Sequence, residues 1–133
     1  MSCSDFRLEG ATALEHQVME MLLAGDNSVL DCLRRQASSA RVSSRENTGV
    51  GFFCDFELPA DAPTVTGAAN FELGDVDATI EGLEYGAGFL LFVRKGRMTM
   101  LEGYSYEEPW PSEVRHFTLT YRTEPRELPP ELA

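Results

Sequence analysis

Residues 50–58 read VGFFCDFEL. Val50, Phe52, Cys54, Phe56 and Leu58 fall on one side of a period of two, and Gly51, Phe53, Asp55 and Glu57 on the other. That alternation belongs to a β-strand with one face against a core. Pro59 ends it. Upstream, Asn47-Thr48-Gly49 reads as a turn in which Gly49 supplies a positive φ, and residues 40–46 as a modest partner strand. Downstream, alternation resumes over 69–73 through Phe71 and Leu73. It then changes phase to Val76, Ala78 and Ile80, so a turn or bulge is expected at Gly74-Asp75. FLLFV at 89–93 is apolar on both faces and predicts a central strand covered on both sides. Residues 94–97 make a hairpin turn, 98–102 return, and a last strand runs from Glu113 or Val114 to Arg122.

Ahead of the strands the period is helical. Thr12 and Glu15 have capping-box spacing, Leu14, Val18, Met21 and Leu22 share one face, and Gly25 supplies a stop, giving a helix over about 12–24. His16, Gln17 and Glu20 fall on the outer face. Ser28 is the expected cap of a second helix, with Val29, Leu30, Leu33 and Ala37 on its apolar side and Asp31, Arg34 and Arg35 toward water. The expected fold is α+β: an N-terminal helical hairpin on one face of a mostly antiparallel five- or six-stranded sheet, in a single domain over 1–133. Residues 1–11 and 123–133 are expected to be extended or mobile.

Composition bounds the function classes. The chain has 133 residues, 11 Lys plus Arg against 22 Asp plus Glu, and a net charge of -11. Residues 51–111 alone hold 11 acidic and 3 basic side chains. A surface of that sign repels phosphate, so neither nucleic acid nor an anionic membrane is an expected partner. No apolar run is long enough to span a bilayer, and no signal peptide is visible. The cysteines, Cys3, Cys32 and Cys54, are odd in number and far apart. They suggest no disulfide framework and no metal or redox motif, so Cys32 and Cys54 read as small core residues in a reducing cytoplasm.

The sequence names no catalytic group. The GxG pairs 49–51 and 86–88 lack a following helix and read as turn glycines, and no GxSxG elbow occurs. His16 and His116 read as solvent-facing. Asp75, Asp77 and Glu81 have too few oxygens and no loop glycine for a calcium site and read as a charged strand face. No metal or cofactor is expected.

The distinctive stretch is EGYSYEEPWP at 102–111. It reads as a proline-stiffened loop in which Glu102, Tyr104, Tyr106, Glu107, Glu108 and Trp110 set flat rings beside negative charge. That pattern suits a cationic ligand or the basic side chain of a partner protein. Trp110 also has a packing reading. Two short helices leave one sheet face bare, and the indole is expected to be at least half covered, folding back as a plug on that face.

GVGFF at 49–53, GAGFLLFV at 86–93 and LEGYSYEEPWP at 101–111 together resemble a family of small uncharacterised bacterial α+β proteins, over about Leu14 to Tyr121. The resemblance implies a cytoplasmic bacterial protein and brings no activity, catalytic residue or cofactor. Size and acidity also match immunity proteins that neutralise toxins. The leading expectation is therefore a non-enzymatic protein-binding module with a basic partner. The alternatives are a small enzyme with an acid/base site near 102–111 and a structural homodimer.

Overall fold

Thr12 stops the chain in an extended conformation (ψ 166°) and turns its hydroxyl onto the Glu15 amide, while the Glu15 carboxylate returns to the Thr12 amide. This capping box opens α1, Ala13–Leu22, in the computed structural model, which describes residues 6–67 and 70–132. Helix α2, Ser28–Ser39, is capped by Asn27 and not by Ser28. The Asn27 side-chain oxygen reaches the amides of Val29 and Leu30 at 2.8 and 3.1 Å, and Ser28 is already in the first turn.

Among the described residues seven strands follow: β1 Arg41–Asn47, β2 Gly51–Glu57, β3 Phe71–Leu73, β4 Val76–Ile80, β5 Ala87–Arg94, β6 Arg97–Ser105 and β7 Phe117–Tyr121. They form one sheet in the order β1-β2-β6-β5-β4-β7, with β3 also on β5, and every pairing is antiparallel. β3 and β4 share the same neighbour. Leu73 stands opposite Leu91, yet Asp77 stands opposite Gly88, a one-residue slip across Gly74-Asp75. The bulge expected from the phase change lies there. Ala69, the expected start of that strand, is outside the described residues, as is Cys3.

The helices cover one face of the sheet. Leu14, Val18, Leu22, Leu33, Phe52 and Phe56 join a single buried cluster with Leu30, Phe89, Leu91 and Leu101. Val50 is not part of it. It sits in the turn before β2 and is 45% exposed. The segment before α1 is anchored: Phe6 and Leu8 are buried, and Glu9 bridges Arg41 in parallel. His16 is half-buried rather than solvent-facing, its ring nitrogens 3.1 Å from Glu20 Oε1 and 3.2 Å from the Phe6 carbonyl.

The C-terminal stretch is held too, along the turn between the helices. Leu132 is buried, and its carbonyl accepts from Asn27 Nδ2 at 2.8 Å. The opposite sheet face keeps Phe53, Leu90, Phe92, Met100 and Tyr104 half-buried. β5 is central in the sheet but covered by helices on one side only, against the two-sided cover expected for FLLFV. Among the described residues no helix is long and apolar enough to cross a membrane.

Candidate functional site

The stretch 102–111 is not one loop. Glu102 to Ser105 complete β6, and only from Tyr106 does the chain leave the sheet. Strand alternation places Glu102 and Tyr104 on the face without helices, in cross-strand rows with Phe53 and Leu90 and with Gly51 and Gly88. Gly88 is required by this arrangement: a Cβ there would lie 2.5 Å from the Tyr104 hydroxyl oxygen. The Tyr104 ring therefore lies across β5 toward β4 and β7. It meets Tyr106 edge-on, with ring centres 5.8 Å apart.

At that end Arg122 grips Asp77 through two hydrogen bonds, of 3.2 and 2.7 Å. The Asp77 bond, with Tyr104 beside it, holds Arg122 firmly protonated. Burial, then the neighbouring Tyr104 and Asp77, raises the Tyr106 phenol above its ordinary value. Asp75 is taken by Arg126. The two aspartates are thus separately neutralised and do not form one cluster.

Glu108 has a role that the sequence did not reveal. Its carboxylate accepts the consecutive amides of Glu84 and Tyr85, at 2.8 and 2.9 Å. This fixes the 81–86 loop against the 106–108 turn, where Glu107 adopts a left-handed φ of +69°. Ser105 Oγ donates to the Glu108 carbonyl. Between the two segments lies a cleft of about 340 Å³, with Asp77, Thr79, Glu84, Tyr85, Tyr106 and Thr120 on its walls. Tyr85 is 67% and Tyr106 47% exposed.

Trp110 goes elsewhere. Its amide donates to the Gly49 carbonyl at 2.8 Å, and its ring meets Phe52 edge-on at 5.6 Å. Phe52 points into the helix-covered layer, so the indole closes the end of that layer beside α1. It is mostly covered, as expected, but it does not plug the open sheet face. A second cavity, about 360 Å³, adjoins it between Leu14, Phe52 and Val114. The polar pair there is already matched: Arg45 holds the buried Glu15 through Nε and Nη2 at 2.8 and 2.6 Å.

Of the six candidate residues, Glu102, Tyr104 and Tyr106 therefore share the open face. Glu107 is at a turn tip, Glu108 is a backbone clamp, and Trp110 belongs to the other layer. Tyr85 and Glu84 were missed. The spacing of Gly86 and Gly88 signals a close approach, but the residue that approaches, Tyr104, is distant in sequence. Among the described residues no group of three or more His, Cys, Asp or Glu side chains converges to hold a metal. Comparison with family models, with curated proteins and with solved structures returned no match.

Proposed function

We propose that this chain is a non-enzymatic protein-binding module and that its open sheet face receives a basic protein. One observation carries the reading. Phe53, Leu90, Phe92, Met100 and Tyr104 form a half-exposed stripe, and the segments among the described residues that could cover it lie elsewhere. Trp110 closes the helix layer and the C-terminal stretch follows the helix turn. Glu102 lies within the stripe between Phe53 and Leu90, Glu46 and Asp55 lie beside Phe53, and none of the three has an ion pair among the described residues. A half-buried apolar stripe whose unpaired charges are all carboxylates favours a partner of opposite charge and gives salt-sensitive association. A second copy of the chain suits the face less, because a two-fold contact brings these carboxylates toward their own copies. An inhibitor of a basic toxin, as immunity proteins are, is the most concrete form of the proposal. The free thiols of Cys32 and Cys54 agree with a reducing, cytoplasmic setting.

The test is affinity capture from extract of the source cells, with wild type and with the pair Phe53→Ser and Glu102→Lys. The reading expects a basic protein held by wild type at low salt, released as salt rises, and lost with the double variant. Equal recovery on both baits refutes it. A sedimentation mass twice that of the chain at micromolar concentration, abolished by the same pair, moves the assignment to a homodimer.

A further inference from the structure

We infer that the cleft between Tyr85 and Tyr106 is a socket for one arginine side chain of that partner. This inference rests on the protein-binding reading and gives it a point of attachment. The chain has three large apolar or aromatic side chains that are exposed among the described residues, and two of them, Tyr85 and Tyr106, wall this one cleft. Exposed tyrosines are common singly. A pair lining one concavity is an aromatic slot. Tyr106 is braced by the edge of Tyr104, which is laid flat by the absence of a side chain at Gly88. The backbone that carries Tyr85 is fixed by Glu108, which accepts its amide.

The charge around the slot selects a cation. Asp77 is matched by Arg122 and contributes little net field. Glu84 lines the cleft and has no ion pair among the described residues; Glu107 lies on the adjoining turn, and Glu108 commits its carboxylate to the Glu84 and Tyr85 amides. A cation entering the slot meets two tyrosine rings and the unpaired Glu84 carboxylate together. Between the two basic side chains, guanidinium fits better than ammonium. It is planar and weakly hydrated, stacks on a tyrosine face, and still directs donors sideways to Glu84 and to the hydroxyls of Thr79 and Thr120. A free small cation gains only the slot. An arginine within a protein adds contacts along the stripe of Phe53, Leu90 and Phe92, so the occupant is a protein side chain.

The experiment uses the full chain and a synthetic ten-residue peptide of alternating arginine and serine, titrated at low salt by calorimetry and by aromatic NMR shifts. Matched peptides carry lysine or uncharged citrulline in place of arginine, and L-arginine amide serves as the free cation. The expected result is shift changes at Tyr85 and Tyr106, tighter binding of arginine than of lysine, and none of citrulline. Tyr85→Ala and Tyr106→Ala, both at exposed positions, should each weaken the arginine peptide roughly three- to thirty-fold. Glu84→Gln should weaken it without any change of shape. Undiminished affinity in all three variants overturns the socket. If binding then still falls with Phe53→Ser, the broader face survives. Arginine amide binding as tightly as the peptide overturns the protein as occupant. No binding of any cationic peptide to wild type overturns the socket, and the capture experiment with Phe53→Ser and Glu102→Lys then decides the protein-binding reading separately.

Discussion

Arg126 holds Asp75 by two hydrogen bonds of 2.8 Å, and its remaining donors reach the carbonyls of Met21, Leu22 and Ala24 at 3.1, 3.2 and 2.8 Å. One guanidinium thereby joins the bulge between β3 and β4 to the end of α1. That helix has no basic residue in its own last turn, so its orphan carbonyls and negative dipole end are met from a distance. Arg34 of α2 completes the cap with donations to the Leu23 and Gly25 carbonyls. The Arg126 guanidinium also lies over the Tyr121 ring, 4.6 Å from its centre.

Arg126→Ala should therefore lower stability by about 2–4 kcal/mol, since the change strands a mostly buried carboxylate and several carbonyls together. Urea unfolding of Arg126→Ala, Asp75→Ala and the double variant measures it. The double variant should fall well short of the sum of the single losses. A loss below 1 kcal/mol for Arg126→Ala would show that the C-terminal stretch does not hold α1.

Gln36 is fully buried in α2 and serves three strangers to its own helix. Its Nε2 donates to the Pro63 and Gly96 carbonyls, both at 2.8 Å, and its Oε1 accepts the Met98 amide at 2.9 Å. Gln36→Leu keeps much of the volume and removes every bond. It should cost about 2–4 kcal/mol, because the buried Met98 amide and the Pro63 carbonyl lose their partner while the Gly96 carbonyl keeps only the Val65 amide. Thermal unfolding checks this, and hydrogen exchange at Met98 should quicken far more than exchange at Leu101.

These two residues mark where legibility ended. Periodicity carried the strand faces well: Phe52, Cys54 and Phe56 are inside, Phe53 is outside, and the phase change at Gly74-Asp75 is a real register slip. Such features are local, since alternation records which face is buried. Gln36 carries no local sign of its buried role, because nothing nearby in sequence reveals Pro63, Gly96 and Met98 as its partners. Trp110 was legible as covered, but not as to which layer it covers. Two prolines stiffen its backbone without telling which way the chain turns after β6. The candidate site was half legible for the same reason. Tyr104 and Tyr106 belong to the recognised stretch, while Tyr85 meets them only through the Glu108 clamp.

Gly103 marks the close approach of β6 to Phe52: an added Cβ would lie 2.3 Å from that ring. Gly103→Ala must push Phe52 toward Trp110. We expect a loss of about 1–3 kcal/mol, typical of overpacking, together with a shift in tryptophan emission. Wild type, with its indole mostly covered, should emit at short wavelength and resist quenching by iodide. Gly88→Ala is the contrast, since it meets only the far end of Tyr104. It should leave the emission unchanged and disturb Tyr104 alone. Identical spectra for Gly103→Ala and wild type would contradict the assigned contact between Phe52 and Trp110.

Burial pushes the Cys54 thiol from an ordinary value near 9 up to about 12, with the neighbouring Glu15 adding to the shift and Arg45 opposing it. Two consequences follow. The thiolate is the reactive form, so Cys54 should resist alkylation at pH 8 in the folded protein. In a Cys3→Ser background, which leaves Cys32 and Cys54, labelling should occur in two phases. Cys32 is half-buried and should react first; Cys54 should react at the rate of unfolding. The second consequence concerns stability. Between about pH 9 and 12 the unfolded chain has lost the thiol proton and the folded chain keeps it. The folded state then binds more protons, so this contribution to stability is complete below pH 9 and declines as pH rises toward 12. Replacing Cys54 by Ala removes the titrating group and leaves a small cavity. The variant should be less stable than wild type at pH 7, and the gap should narrow between pH 9 and 11. A gap that stays constant over that range would place the thiol in a more solvated site than the fully buried position in β2.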